Sequence, residues 1–277
     1  MKNTRQENRA SKLLTNVPGL FEGAAPYYSR YRPEYPAEVI EMLIRRFNLS
    51  ALTHVLDLGC GTGQIAIPMA KLGIPVHAVD PDVEMLAEGM RAEQRAAVRG
   101  IAWIRGEDAS IIQLHLPLLS LCTMGASFHW MDREQILRTL DSKIVEGGGI
   151  ALLSGGNSVW SGRGTGWLAV AKEVVVEFLG SERRAAGGIY NHPTDRHEIV
   201  LARSAFGHLE QLSFSTQLEL RVEQIVGLQL SSSYASPAQL GVRTNEFKNV
   251  LSERLLALEP SGVFRTELTT ELLVATR

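Results

Sequence analysis

The chain has 277 residues, of which 45% are apolar and 21% are charged, and its formal net charge is −2. These values are typical of a globular protein, and the lack of a basic excess argues against a nucleic-acid partner. The two cysteines, Cys60 and Cys122, lack metal-ligand spacing, so we expect reduced thiols, no metal site and a cytoplasmic location. A polar N-terminus and the absence of any run of about 18 apolar residues predict no signal peptide and no membrane span.

The N-terminal segment, residues 1–24, is mostly polar but carries four apolar residues at roughly helical spacing, Leu13, Leu14, Val17 and Leu20. We expect this segment to pack on another subunit, which would give a homo-oligomer, or on the cap formed by later residues of the chain. A frayed terminus is the alternative, because chain ends are often poorly ordered.

Residues 25–155 alternate short apolar runs with stretches of helical periodicity. The predicted strands cover residues 54–59, 75–80, 101–108, 120–125 and 149–155. The predicted helices cover residues 64–72, 83–95 and 133–144. Pro36 opens an earlier helix, since proline is tolerated in the first helical turn. Alternation of this kind predicts an α/β fold with a parallel sheet covered by helices on both faces.

The pattern becomes less regular after residue 155. Residues 156–208 are rich in glycine and aromatic residues and predict a cap or lid insertion, because long irregular segments in compact domains are usually functional or mobile. Within residues 209–277, two apolar segments near the beginning and the end predict strands, with a helix near 244–257 between them. We expect this C-terminal part to complete the sheet.

The strongest motif is VLDLGCGTG at residues 55–63, where a strand runs into a loop with Gly59, Gly61 and Gly63. Glycines at such a turn let the backbone approach a ligand at the carboxyl ends of the strands. The spacing is GxGxG, and Gln64 stands where a dinucleotide-binding fingerprint has its third glycine. No GxxxxGK[ST] motif occurs either, so a nucleotide pyrophosphate is not the expected ligand.

These residues, over about 25–153, resemble the class I S-adenosylmethionine-dependent methyltransferases, and more narrowly the small-molecule enzymes called type 11. The resemblance implies a Rossmann-like fold with a seven-stranded, mostly parallel sheet. It also implies S-adenosyl-L-methionine as cofactor and S-adenosyl-L-homocysteine as product. In the family, the glycine loop packs against the amino-acid part of the cofactor, which assigns Gly59, Gly61 and Gly63. Asp57 would organise this loop and the cofactor ammonium group.

The resemblance assigns the ribose hydroxyls to Asp80, which ends the second strand about 20 residues after the glycine loop. The alternative for Asp80 is a helix N-cap. Pro81 and Met85 would border the adenine, although core packing is an equal alternative for Met85.

In the segment GEDAS, residues 106–110, Asp108 with Ala109 would contact the adenine amino group and ring. Glu107 is the second choice for this role, and a solvated turn is the alternative. The resemblance also implies that Arg32 pairs with the cofactor carboxylate, since a guanidinium suits that geometry. Three tyrosines next to it would close over the methyl-donor region, with purely structural roles as the alternative: Tyr27, Tyr28 and Tyr31.

The segment SLCTMGASFHWMD, residues 120–132, is similar without a gap to the family pattern DLVTAGQAFHWFD. The resemblance implies that Gly125 borders the cofactor and that His129 faces the transferable methyl group as a general base or a substrate orienter. Histidine titrates near neutral pH, which suits it to this role. The alternative is a histidine that only braces the loop. Trp130 would form an apolar wall.

The chain departs from that pattern at Ser120, where the family has an acidic residue, and at Ala126, where it has a glutamine. The Asn-Pro-Pro-Tyr motif of base-amino methyltransferases is absent, which argues against DNA adenine and protein glutamine as acceptors.

The cap contains several aromatic and histidine residues, and each taken singly is more often structural than catalytic. Together with Tyr27 and Trp130, several of them are candidates for lining a pocket for an apolar or aromatic metabolite: Trp160, Trp167, Tyr190, His192, His197 and Tyr234.

The sequence therefore predicts an enzyme that methylates an oxygen, nitrogen or carbon atom of a small metabolite, as in natural-product biosynthesis. Two other functions fit the same motifs less directly. One is an enzyme that binds the cofactor but catalyses a non-methylating reaction such as a cyclisation. The other is a non-catalytic scaffold, which would not need three acidic residues at cofactor positions.

Overall fold

The computed structural model describes residues 19–156, 158–160, 164–185, 188–190 and 193–277. The strands are β1 Val55–Leu58, β2 Val76–Asp80, β3 Ile101–Arg105, β4 Leu119–Gly125, β5 Ile144–Gly155, β6 Arg184–Ala185, β7 Gly188–Ile189, β8 His208–Arg221 and β9 Val263–Thr276. The helices are α1 Ala25–Tyr31, α2 Ala37–Arg46, α3 Ala66–Lys71, α4 Val83–Arg95, α5 Arg133–Asp141, α6 Trp167–Leu179, α7 His197–Ala202, α8 Val222–Leu230, α9 Pro237–Leu240 and α10 Thr244–Leu258. Short 3₁₀ turns follow β3 and β4.

Seven strands form one sheet in the order β3-β2-β1-β4-β5-β9-β8. The pairs among β1 to β5 are parallel, and β9 runs antiparallel to both β5 and β8. The prediction of a seven-stranded, mostly parallel, Rossmann-like sheet is thereby confirmed. Because the chain moves outward from β1 to β3 and then returns to β4, the strand order reverses between β1 and β4, and such a reversal creates a crevice at the carboxyl ends of the strands.

The two faces of the sheet are buried under different helices. On one face, α2 and α3 pack on the sheet through residues such as Val39, Leu43 and Met69. On the other face, α5 and α7 pack through residues such as Leu137 and Leu201. All five of these side chains are buried. Apolar surface removed from water in this way is the main stabilising contribution to the fold.

A third apolar cluster lies apart from the two faces of the sheet. It joins α6, α8, α9 and α10, and we call these four helices the helical layer. The hairpin of β8 and β9 reaches this layer, because β9 pairs with β5 only from Thr270 to Thr276 and continues beyond the sheet with β8 alone. Leu220 and Phe264, near the far end of the hairpin, are buried in the cluster. The layer thus draws residues from both the segment 156–208 and the segment 209–277.

Helix α1 joins the helical layer to the sheet. The Tyr31 ring lies so close to α8 that an alanine Cβ at Gly227 would be 2.1 Å from its Cδ2 atom. The Tyr31 hydroxyl donates to Glu223 of α8 at 2.5 Å.

None of the helices within the described ranges combines the length and apolar character needed to cross a bilayer. The N-terminal residues Leu13, Leu14 and Val17, which carry the oligomer prediction, lie outside the described residues.

Candidate active site

The loop after β1 has a backbone that suits glycine at three positions. Gly59, Gly61 and Gly63 have φ values of +70°, +55° and +89°, a region that glycine adopts at little cost. Position 59 also lacks space, because an alanine Cβ there would lie 2.4 Å from Cβ of Ser127. The Ser127 hydroxyl donates to the Leu58 carbonyl at 2.7 Å and holds the exit of β4 against this loop.

The indole of Trp103 packs the helices against this end of the sheet. An alanine Cβ at Gly63 would lie 2.8 Å from the indole Cη2, and one at Gly89 in α4 would lie 2.4 Å from the same atom. The indole nitrogen donates to Glu93 Oε2 at 2.8 Å, which fixes the ring. By contrast, the nearest atom to a Cβ at Gly61 is Cε1 of Tyr28, at 3.7 Å. The ring of Tyr28 therefore lies over the glycine loop.

Asp57 is a buried carboxylate that is only half satisfied. Its Oδ1 accepts a hydrogen bond from Thr123 Oγ1 at 2.9 Å. Its Oδ2 is buried and accepts no hydrogen bond from the part of the chain that the structure describes. Burial raises the pKa of Asp57 to about 7, although the Thr123 hydroxyl and the Ala66 backbone amide lower it. Because an unpaired buried acceptor is costly, a ligand with N–H donors would stabilise this group.

Arg32, in the same cleft, has a buried hydrogen-bond donor that lacks an acceptor among the described residues. Its Nη2 donates to the Ser231 carbonyl at 3.2 Å and to Ser232 Oγ at 3.4 Å. Its Nε is buried and has no acceptor among the described residues. The guanidinium carbon lies 4.9 Å from the centre of the Tyr28 ring, a distance that fits a cation–π contact. An anionic group beside Nε would therefore be stabilised.

The Asp80 carboxylate holds the glycine loop by accepting a hydrogen bond from the backbone of the loop. Its Oδ2 accepts from the Gly61 amide at 2.8 Å, and its Oδ1 accepts from the Asp82 amide at 2.9 Å. Each carboxylate oxygen keeps a further lone pair for a ligand hydroxyl. Burial raises the pKa of Asp80 to about 6. The alternative role as a helix N-cap is wrong, since Asp82 caps α4 by accepting from the amides of Glu84 and Met85.

The α4 side of the site is covered by α1. The Gly23 amide donates to Glu84 Oε2 at 3.3 Å, and Arg95 donates to Ser29 Oγ at 3.2 Å. Of the two residues expected at the adenine, Met85 is buried and Pro81 is exposed.

The 3₁₀ turn after β3 contains the other residues expected at the adenine. Asp108 accepts from the Asp132 amide through Oδ2 at 2.7 Å, so it ties this turn to the start of α5. The Glu107 amide donates to Ser110 Oγ at 2.9 Å, and Ala109 is exposed. The carboxylate of Asp108 keeps its other oxygen for a ligand.

A cleft at the carboxyl ends of β1 and β4 brings the predicted residues Tyr28, Arg32, Asp57, Gly59 and Gly125 together. The predicted adenosine-contacting residues around α4 and the turn after β3 do not line this cleft and lie at its side. The cleft therefore brings together several of the residues predicted to contact the cofactor.

Tyr35 also lines this cleft, and sequence reasoning did not single it out. An alanine Cβ at Gly125 would lie 2.9 Å from the Tyr35 hydroxyl. Burial raises the pKa of Tyr35, so its phenol is neutral at physiological pH. Tyr35 belongs to the tyrosine-rich lead-in, but nothing in the spacing distinguishes it from its neighbours.

His129 lies in the 3₁₀ turn after β4 and belongs to an aromatic cluster. Its ring centre is 4.6 Å from that of Trp130 and 6.2 Å from that of Tyr190. Trp130 and Tyr190 meet edge to face at 5.1 Å. His129 and Tyr190 line a second cavity together with His197, and none of its lining residues lines the first cleft. Burial and, to a lesser extent, Arg133 lower the pKa of His197.

The remaining cap residues separate into different surroundings. Tyr27 accepts a hydrogen bond from Lys248 Nζ at 2.8 Å, and Trp167 is buried in the core of the helical layer. Trp160 and Tyr234 meet edge to face at 6.0 Å. His192 lies outside the described residues. The structure thus groups Trp130 with Tyr190, whereas four other residues pack in the apolar cluster of the helical layer: Tyr27, Trp160, Trp167 and Tyr234.

Several known proteins are similar to this chain in sequence or in fold. The family described as methyltransferase domain matches residues 55–148. An uncharacterized methyltransferase of Mycobacterium tuberculosis is 31% identical over 247 residues, which cover 87% of each chain. An uncharacterized methyltransferase of Schizosaccharomyces pombe is 24% identical over 79% of this chain and 80% of that protein.

Among solved structures, a protein of Anaeromyxobacter dehalogenans, provisionally described as a type II methyltransferase, superposes with a TM-score of 0.59. It is 18% identical and the match covers 89% of this chain and 98% of that one. At this identity the likeness concerns the fold.

Proposed function

The chain belongs to the class I S-adenosylmethionine-dependent methyltransferases, and we propose that it methylates an oxygen, nitrogen or carbon atom of a small metabolite. The enzyme class follows from the relatives and the fold. The nature of the acceptor, the role in biosynthesis and the roles of individual residues belong to the proposal. A cytoplasmic location is kept as part of it.

The observation that carries the proposal is the pair of unsatisfied buried atoms in the first cleft. Within the described residues, Asp57 Oδ2 has no donor and Arg32 Nε has no acceptor, and both residues line the same space. The methionine end of the cofactor carries an ammonium and a carboxylate, which match these two atoms in charge and in hydrogen bonding. The residues present therefore fit S-adenosylmethionine, with the glycine loop against its amino-acid part and Asp80 at the ribose.

When bound, S-adenosylmethionine supplies a methyl group activated by a positively charged sulfur, so the acceptor needs positioning and, where it carries a proton, a base. We assign the acceptor side to the cluster of His129, Trp130 and Tyr190. The two aromatic rings would hold an apolar body, and His129 would orient the acceptor atom or accept its proton. Gly125 and Tyr28 would border the methyl group.

Two alternatives use the same cofactor site. A cofactor-dependent reaction without methyl transfer would leave the mass of the substrate without an added methylene unit. A scaffold would have no use for the unpaired Asp57 and Arg32 atoms, because buried polar groups without partners reduce stability.

The proposal is tested first by isothermal titration of S-adenosylmethionine and S-adenosylhomocysteine into the parent and the Asp80→Ala variant. We expect binding that is lost in the variant, with Glu134→Gln on the exposed side of α5 as a control that binds normally. Unfolding midpoints show that each variant is folded. A metabolite screen by mass then follows, in which methylated products support the proposal. A folded parent that binds neither ligand, or a product without the added methylene, contradicts it.

A further inference from the structure

Arg183 is a partly buried cation that no carboxylate among the described residues neutralises. Its guanidinium carbon lies 4.1 Å from the centre of the Tyr190 ring, a distance at which a cation stacks on an aromatic face. Its Nε is buried and has no acceptor in the part of the chain that the structure describes. Burial lowers the pKa of Arg183, and the neighbouring groups that act on it are the phenols of Tyr190 and Tyr234, which burial keeps neutral.

Arg183 adjoins the aromatic cluster of the second cavity. Through its contact with Tyr190 it is linked to Trp130 and His129. Its guanidinium therefore lies next to the residues assigned to the acceptor.

A second unsatisfied donor lies next to the Tyr234 phenol. The indole nitrogen of Trp160 is buried and has no acceptor among the described residues, and its ring meets that of Tyr234 at 6.0 Å. The Tyr234 hydroxyl donates to Gln229 Oε1 at 3.1 Å, and the Ser232 side chain hydrogen-bonds to the same hydroxyl. Because Trp160 and Arg183 both offer N–H groups, the partner missing from this region is an acceptor of hydrogen bonds.

We propose that the methyl acceptor is a small organic carboxylate, and that Arg183, with Trp160 as a second donor, binds its carboxylate group. This inference rests on the proposed function and names the substrate class for it. A guanidinium pairs with a carboxylate through two parallel hydrogen bonds, and the pair is strong where water is excluded. One guanidinium balances one negative charge, so a carboxylate fits better than a phosphate monoester, which carries nearly two. Tyr190 and Trp130 would hold the apolar body of the acid.

The test compares carboxylic acids with their uncharged amides. Benzoate is paired with benzamide and cinnamate with cinnamamide, and phenyl phosphate is added as a second anion. Each is titrated into the protein with and without S-adenosylhomocysteine. We expect at least one acid to bind about tenfold or more tightly than its amide, since hydrogen bonds to charged groups contribute about 1.5–3 kcal/mol.

Three variants locate the preference. Arg183→Gln should abolish the difference between acid and amide, Arg183→Lys should retain part of it, and Trp160→Phe should reduce it. Arg138→Gln removes an exposed cation of α5 and should leave the preference unchanged. Arg183→Gln should bind S-adenosylhomocysteine as the parent does, which shows that it is folded.

The outcomes separate the two proposals. Absence of any preference for acids, including a failure of all probes to bind, overturns the inference. A preference that persists in Arg183→Gln, or phenyl phosphate bound more tightly than benzoate, overturns it as well. If the parent protein does not bind S-adenosylhomocysteine, that result counts against the proposed function. The acid–amide comparison without cofactor would still decide the inference.

Discussion

The cofactor edge of the sheet and the helical layer are held together in different ways. At the cofactor edge, the glycine loop is held by a side chain 19 residues further along the chain, through the bond from the Gly61 amide to the Asp80 carboxylate. The helical layer is tied to the N-terminal helix by side chains 221 residues apart, Tyr27 and Lys248. Local contacts of the first kind leave a motif in the sequence, whereas distant contacts of the second kind leave none.

The largest expected effect at the cofactor edge comes from Gly59→Ala. Its positive φ costs about 1–2 kcal/mol for a residue with a Cβ, and the clash with Ser127 adds about 1–3 kcal/mol. We therefore expect the free energy of unfolding to fall by about 2–5 kcal/mol and cofactor binding to be lost. Urea unfolding and titration with S-adenosylhomocysteine measure the two effects.

Gly73→Ala is the matched control for this substitution. Gly73 also has a positive φ, of +80°, but no atom lies within 4 Å of the added Cβ. It should cost only the backbone term, about 1–2 kcal/mol, and leave the affinity unchanged. Equal losses for the two variants would mean that the packing of Gly59 against Ser127 has no energetic consequence.

A moderate effect is expected from pH. The folded-state pKa of Asp57, about 7, lies above the ordinary value of 3.8, so the folded protein binds more protons than the unfolded chain between them. The stability of the free protein should therefore fall as the pH rises from about 4 to 7. Asp80, with a pKa of about 6, acts in the same direction. Urea unfolding midpoints at several pH values check this, and an increase over that range would contradict it.

Cofactor affinity should follow the opposite course. The ammonium group requires ionised Asp57, so the affinity for S-adenosylhomocysteine should fall as the pH drops below about 7. Titrations at pH 8 and pH 6 measure the change. Asp57→Asn should make both pH profiles less steep, because it removes one of the two titrating groups. A parent affinity that does not change between the two pH values would contradict the assignment.

The smallest expected effect lies in the helical layer, at Tyr27→Phe. The change removes the hydrogen bond from Lys248 on a partly exposed surface, which should cost about 1 kcal/mol or less. The affinity for S-adenosylhomocysteine should not change. Thermal unfolding and titration provide the measurements. A loss of cofactor affinity would show that the helical layer and the cofactor edge are energetically coupled.

The sequence predicted the sheet, the glycine loop and most elements up to residue 155, because strand runs, glycines and helix periodicity are local signals. Helix α4 was predicted at its observed bounds, Val83–Arg95. The sequence did not predict α8, whose buried residues cover most of the helix and remove its periodicity. Nor did it predict α9, because four residues are too few to show a helical period. The sequence also did not single out Arg183. Its burial depends on Tyr190 and Tyr234, which no spacing rule brings together.

The most direct test of the account is binding of two ligands to the parent and to Asp57→Asn at pH 8. S-adenosylhomocysteine carries the amino-acid end, and methylthioadenosine lacks it. We expect Asp57→Asn to weaken S-adenosylhomocysteine about tenfold to a hundredfold, as for loss of a charged hydrogen bond. Methylthioadenosine should bind both proteins alike. Equal weakening of the two ligands, or no weakening of either, would contradict the claim that Asp57 Oδ2 receives the cofactor ammonium.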